Sequence, residues 1–164
     1  MNVLAIDPGY GRCGVAVLEG DGSRSVLLTS ACIETSAKLP FPERLLAVGT
    51  AIAALIDTYH PDAVAIEELF FTNNAKTALH VAEVRGMIMF IAASKKVTLV
   101  EYNPVAIKIA LTGYGRANKE QVTKMVEQIL RLDTSAMIDD ECDAIAVGLT
   151  ALASAKYTAL QGRK

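Results

Sequence analysis

Two short runs constrain this chain more than anything else in it. Val3-Leu4-Ala5-Ile6 and Ala63-Val64-Ala65-Ile66 are apolar at every position, and an acid follows each at once, Asp7 and Glu67. Runs this short and this uniformly apolar read as strands buried on both faces. A charge at the end of such a strand is costly unless it is paired or bound to a cation. Asp7 has an ordinary use, capping the Asp7-Pro8-Gly9 turn with its side chain. Glu67 has a weaker excuse, because Glu is a poor turn residue. If the two strands are parallel neighbours, their ends bring the two acids together.

The rest of the chain supports that placement. Residues 14–18 and 26–33 read as two further strands, joined through the hairpin chemistry of Gly20-Asp21-Gly22-Ser23. With 3–6 they make an antiparallel meander. Leu39-Pro40-Phe41-Pro42 breaks the pattern, and helical spacing of Leu45, Leu46, Ile52, Leu55 and Ile56 predicts a helix over 43–59. After the strand at 63–66 come a long helix from 75 to about 94, a fifth strand over 97–102, and helices over 105–111, 119–130 and 139 to about 156. The order βββαβαβααα is a mixed sheet with helices on its faces. Right-handed crossovers put the fourth strand parallel to the first and within reach of it.

Composition bounds the class. With 164 residues, 52% apolar and 21% charged, the chain is sized for one domain with a real core, and a disordered or collagen-like chain is excluded. We expect one domain over residues 1–157 and a short disordered tail over 158–164. No uncharged run reaches the roughly 18 apolar residues of a membrane span, and Asp7 interrupts anything like a signal peptide. The three cysteines are odd in number and far apart, which suits reduced thiols in a cytoplasmic protein. A net charge of −2 argues weakly against a nucleic-acid partner, although it conceals any clustering.

A third acidic segment, Asp139-Asp140-Glu141-Cys142-Asp143, opens the last helix. Acids in a first turn favourably meet the helix dipole and need no function. Asp140 and Asp143, three apart, share one face, and Asp143 leads into the apolar stripe Ile145, Ala146, Leu149. Gathered carboxylates repel each other unless cations compensate. An all-oxygen set without His or Cys suits Mg2+ or Mn2+, and two such ions stabilise the attacking and leaving oxygens in phosphodiester hydrolysis.

Ala5-Ile6-Asp7-Pro8-Gly9, Ala65-Ile66-Glu67-Glu68-Leu69-Phe70 and Asp140-Glu141-Cys142-Asp143-Ala144-Ile145-Ala146 resemble, in order and spacing, the RuvC family of Holliday junction resolvases. The resemblance runs from Val3 to about Leu152. It includes Asn74-Ala75 through Ala82, Arg85-Gly86, and Gly113, Gly115, Lys119 and Gln121-Val122. It implies an α/β, ribonuclease H-like fold with a five-stranded mixed sheet flanked by helices on both faces. It also implies a cytoplasmic, dimeric endonuclease that resolves four-way DNA junctions in recombination and repair by paired symmetric nicks, leaving 5′-phosphate and 3′-hydroxyl ends. The family's metal-binding, catalytic carboxylates fall on Asp7, Glu67, Asp140 and Asp143, with two Mg2+ ions expected and Mn2+ as a substitute. Glu68 and Asp139 rank second, the first turned to the opposite strand face and the second fitted to a helix cap.

By the same resemblance, the junction-probing aromatic falls on Phe70, placed to stack on an unpaired base. Lys108 and Lys119 match basic positions that the family uses on DNA. Lys76 and Arg116 are further candidates for backbone contacts, and Lys119 opens a helix after a Gly-rich segment, a favourable phosphate site. A two-fold dimer would present two matched sites. The apolar helix from 75, with Leu79, Met87, Ile88, Met89 and Ile91, is the candidate for part of that interface. Docking to a branch-migration helicase complex is a further implication. The rival readings are another ribonuclease H-like nuclease acting on RNA, hybrid or linear DNA, and an actin-like ATPase, whose first phosphate loop Asp7-Pro8-Gly9-Tyr10-Gly11 resembles. The second rival needs a related half-domain for which 164 residues leave no room.

Overall fold

A computed structural model describes residues 1–21, 23–68 and 75–161, with all of their side chains except those of 75, 76 and 156–161. The elements follow the expected order: β1 (Asn2–Asp7), β2 (Arg12–Gly20), β3 (Ser25–Glu34), α1 (Phe41–Tyr59), β4 (Ala63–Glu67), α2 (Ala75–Ser94), β5 (Thr98–Tyr102), α3 (Pro104–Thr112), α4 (Lys119–Leu130) and α5 (Asp139–Gln161). The sheet has the order β3-β2-β1-β4-β5. β1 runs antiparallel to β2 and parallel to β4, with Val3 opposite Ala63 and Ile6 opposite Ile66. Asp7 and Glu67 are the next residues along these two strands, so the inferred neighbours are real neighbours.

Side chains alternate across the sheet, and the two faces carry two cores. Leu4, Ile6, Val15, Val17, Val64 and Ile66 pack on one face with Val48, Ile52 and Ile56 of α1 and Val84, Ile88 and Ala92 of α2. Val3, Ala5, Ala16, Leu18 and Ala65 pack on the other with α5 and with Ile107, Leu111 and Val126 of α3 and α4. By the same alternation Asp7 and Glu67 belong to the α5 face. That face is built for close approach. Three of its sheet positions are alanine, and a Cβ on Gly148 of α5 would lie 2.3 Å from Leu18 Cδ1 and 3.1 Å from Ala5 Cβ. Residues 144–152 of α5 are buried all round, between the sheet and helices α3 and α4.

Three details differ from the expectations. Helix α1 starts at Phe41 rather than at 43, because a proline in the first helical turn sacrifices no hydrogen bond. Helix α5 runs on to Gln161, past the expected end near 156 and into the stretch read as a tail, since no Gly or Pro intervenes before Gly162. By length and composition alone, Thr77–Ser94 of α2 could cross a bilayer, the one such helix among the described residues. Glu83 and Arg85 in mid-helix break it into shorter uncharged runs. In this fold its Val84, Ile88 and Ala92 are buried against the sheet.

Candidate active site

The site is assembled at one end of the sheet by three local devices. The strand ends deliver Asp7 and Glu67. The Asp7-Pro8-Gly9 turn closes tightly, and a Cβ on Gly9 would fall 1.8 Å from the Arg12 carbonyl oxygen. Gly14, paired with Asp7 across the β1–β2 ladder, leaves room for the first turn of α5, since a Cβ there would fall 1.8 Å from the Asp140 carbonyl oxygen. The chain thus seats α5 directly over the residue that pairs with Asp7. Asp140 and Asp143 arrive beside the strand ends from a helix N-terminus, where the dipole favours carboxylates.

Three of the four acids, Asp7, Glu67 and Asp143, are held above the ordinary carboxylate range, in each case first by burial. Asp7 is pushed up to about 7 from an ordinary 3.8, first by burial and then by the charges of Glu67, Asp143 and Asp140, with Lys119 opposing. Burial and then Asp143 raise Glu67, against the pull of Lys108. Asp143 is also raised, again first by burial, although a hydrogen bond from Lys119 holds it down. Lys119 Nζ donates to Asp143 Oδ2 at 3.0 Å and lies 3.2 Å from Asp139 Oδ2. Burial lowers the Lys119 ammonium, but these two carboxylates outweigh it and the net shift is upward. Arg12 Nε lies 3.1 Å from Asp140 Oδ2. That oxygen is buried and accepts no hydrogen bond, so the guanidinium offers it charge without an aligned N–H.

Two clefts open on this end and share Glu67 and Pro104 as a wall. One, of about 210 Å3, is lined by Lys108, Lys119, Val122 and Asp143. The other, of about 190 Å3, is lined by Asp7, Pro8, Glu68, Val81 and Arg85. A larger cavity, about 900 Å3 between Ser23–Leu27 and the end of α4, lies at the opposite end of the sheet and holds none of these acids.

The donor set suits a hard divalent cation. It is all carboxylate oxygen, the charges of Glu67, Asp143 and Asp140 add to burial in raising Asp7, and Asp140 Oδ2 is buried without a hydrogen bond. As they stand, no three ligating side chains among the described residues are close enough to clasp an ion. Lys119 and Arg12 occupy the flanks instead.

The remaining expected residues are distributed unevenly. Glu68 is exposed beyond β4, with its backbone N–H bonded to the Tyr102 carbonyl. Arg116 is exposed in the loop before α4. Lys76 lies in the first turn of α2, and Phe70 lies outside the described residues. Within α2, Ile88 is core rather than interface, whereas Leu79 is exposed and so is Phe90, which sequence reasoning passed over. It also passed over Arg12, whose only signal is its position two residues before Gly14. A ring cluster at the same end went unseen as well. Tyr10, Phe41 and His80 meet edge-on or stacked, with the Arg44 guanidinium 4.6 Å from the centre of the Tyr10 ring. All three cysteines are free thiols, as expected.

Known proteins are similar to this chain in sequence and in fold. Residues 3–151 match the family model described as crossover junction endodeoxyribonuclease RuvC. A protein of that name from Caldicellulosiruptor saccharolyticus is 40% identical over 162 residues, covering 98% of each chain. Another from Finegoldia magna is 40% identical over 164 residues, covering both chains in full. Among solved structures, T. thermophilus RuvC in complex with Holliday junction substrate superposes with a TM-score of 0.91 at 32% identity, covering 96% of each chain. With a family match over nearly its whole length, the chain belongs to the RuvC family of crossover junction endodeoxyribonucleases.

Proposed function

We propose that this chain resolves four-way DNA junctions at the site formed by Asp7, Glu67, Asp140 and Asp143, with paired symmetric nicks in recombination and repair. The family is one of metal-dependent nucleases. The observation that supports the site assignment is the convergence of Asp7 and Glu67 from two adjacent strand ends with Asp140 and Asp143 from one helix, where burial and then the charges of the other three push Asp7 up to about 7. Such a set is relieved at neutral pH by protonation or by cations, and a bound cation needs no proton. The same four residues would hold two Mg2+ ions, or Mn2+ in their place, which supply Lewis-acid stabilisation of the attacking and leaving oxygens.

The protein's own contribution is position and charge. Asp7 and Glu67 sit on central strands that cannot move apart, and Asp140 and Asp143 sit on a helix locked against Gly14. The scissile phosphate is placed in the cleft between Glu67 and Lys119, where Lys108 and Lys119 present positive charge. Lys76 and Arg116 extend the backbone contacts along the duplex arms. Phe70 stacks at the crossover, a role that rests on its place after the Glu67 strand. Cleavage yields 5′-phosphate and 3′-hydroxyl ends.

Two matched nicks call for two sites related by a two-fold axis, and a homodimer through α2 supplies them. Leu79, Ala82, Gly86 and Phe90 are exposed along one side of this helix. A Cβ on Gly86 would meet nothing within 4 Å. Small residues between two large apolar ones allow a second helix to approach closely. The cytoplasm is the compartment, and a branch-migration helicase complex is the further partner.

The test is gel-resolved cleavage of a labelled four-way junction with and without Mg2+, beside a linear duplex and an RNA–DNA hybrid. Symmetric nicks in the junction alone, lost in Asp7→Asn, are expected. Cleavage of the hybrid or duplex in preference to the junction overturns the substrate assignment, and an active Asp7→Asn overturns the site.

A further inference from the structure

Arg12 stands out at this site because its contact with Asp140 is close, central and poorly made. Its backbone is fixed. It opens β2, pairs with Glu34 of β3, and its carbonyl presses on the space above Gly9. Its side chain is free by comparison, at 58% exposed. The guanidinium reaches within 3.1 Å of Asp140 Oδ2 and makes no hydrogen bond to it. An arginine on a carboxylate is strongest when it is bidentate and aligned, and this pair is neither. Lys119 on Asp143 is a well-formed charge-assisted hydrogen bond by contrast.

We propose that Arg12 is a positioning residue that holds the place of a cation at Asp140 and couples metal loading to DNA binding. Without a metal, its charge neutralises Asp140 and competes with the incoming ion. When the ion engages Asp140, the guanidinium is released on its fixed backbone and pivots to the exposed side, where a DNA phosphate accepts it. A phosphate that draws Arg12 away frees Asp140 for the ion, so each ligand favours the other, as linkage requires. This inference rests on Asp140 being a metal-holding residue.

The experiment measures Mn2+ binding to the intact chain without DNA, by electron paramagnetic resonance of the free ion. Arg12→Gln, Arg12→Lys and Asp140→Asn are compared with the unaltered protein. Arg12→Gln is expected to bind Mn2+ about 2- to 5-fold more tightly, the scale of an ion pair with one exposed partner. In EDTA, the salt dependence of its junction binding is expected to fall by about 0.9, the loss of one phosphate contact. Arg12→Lys should restore that slope. Unchanged or weaker Mn2+ binding by Arg12→Gln, with Asp140→Asn impaired, overturns the competition while leaving the carboxylate site standing. Tighter Mn2+ binding with an unchanged salt slope overturns the coupling to DNA. If Asp140→Asn binds Mn2+ as well as the unaltered protein, the underlying site assignment fails, and this inference fails with it.

Discussion

Asp7→Asn should do two things at once: abolish cleavage and stabilise the metal-free protein. A carboxylate whose folded pKa is raised above its unfolded value contributes stability at low pH that is lost as pH rises through the folded value. For Asp7 the window runs from 3.8 to about 7. A displacement of that size corresponds to about 4 kcal/mol of destabilisation once pH exceeds 7. At pH 5 only about 1.5 kcal/mol of it has been expressed. Asparagine removes the charge and keeps the shape, although its amide is still half-buried and needs partners of its own. The expected gain in EDTA at pH 8.5 is therefore about 2–4 kcal/mol, which for a chain of this size is roughly 4–16 °C in Tm.

Thermal melts of both proteins in EDTA, at pH 5 and pH 8.5, check this directly. The advantage of Asp7→Asn should shrink by about 2 kcal/mol at the lower pH. Mg2+ should raise the Tm of the unaltered protein at pH 8.5 by mass action, and that of the variant less. No gain at pH 8.5, or an equal gain at both pH values, would refute the reasoning, because the burial and repulsion that raise Asp7 would then be absent.

Gly14→Ala puts a methyl against the Asp140 carbonyl with no flexible side chain to yield. We expect a loss of about 1–3 kcal/mol by denaturant unfolding and a fall in junction cleavage of about 100-fold or more from the displaced carboxylate. A double charge on the exposed side of α2, Leu79→Lys with Phe90→Lys, should halve the mass seen by light scattering and leave the fold unaltered by circular dichroism. A dimer that survives both lysines places the interface elsewhere. Phe70→Ala should retain Mn2+ binding and lose resolution of the junction, and an unchanged cleavage rate would end its assignment to the crossover.

Much of this architecture is readable from local pattern. The elements fall within a few residues of their sequence expectation because the signals are local: apolar runs, turn residues and helical spacing. Asp7 and Glu67 are legible for the same reason, since an acid at the end of a doubly buried strand is anomalous wherever it occurs. Arg12 is not legible in that way. Its partner Asp140 is brought to it by the seating of α5 on Gly14, a tertiary contact with no periodicity to announce it. The rings of Tyr10, Phe41 and His80 come from three separate segments and are equally silent in sequence. On α2 the side of a residue decides between core and surface. Ile88 and Phe90 look alike in a list of apolar residues, yet one is buried and the other is 72% exposed.

The distribution of cations around the acids gives the site its logic. Asp140 has Arg12, Asp143 has Lys119, and Glu67 feels Lys108. Asp7 has only a share of Lys119, which already serves Asp143, and it is the one carboxylate of the four driven as far as about 7. Each carboxylate besides Asp7 is thus balanced by a side chain that a DNA phosphate can also claim. If DNA drew those cations toward phosphate, as proposed for Arg12, the carboxylates would lose their counter-charge together. The proposed site's affinity for a divalent ion would then be highest with the substrate in place. A net charge of −2, which counts against nucleic acid when taken alone, fits the same proposal: bound ions would cover the clustered acids, and the basic residues beside them would be left for the backbone of the junction.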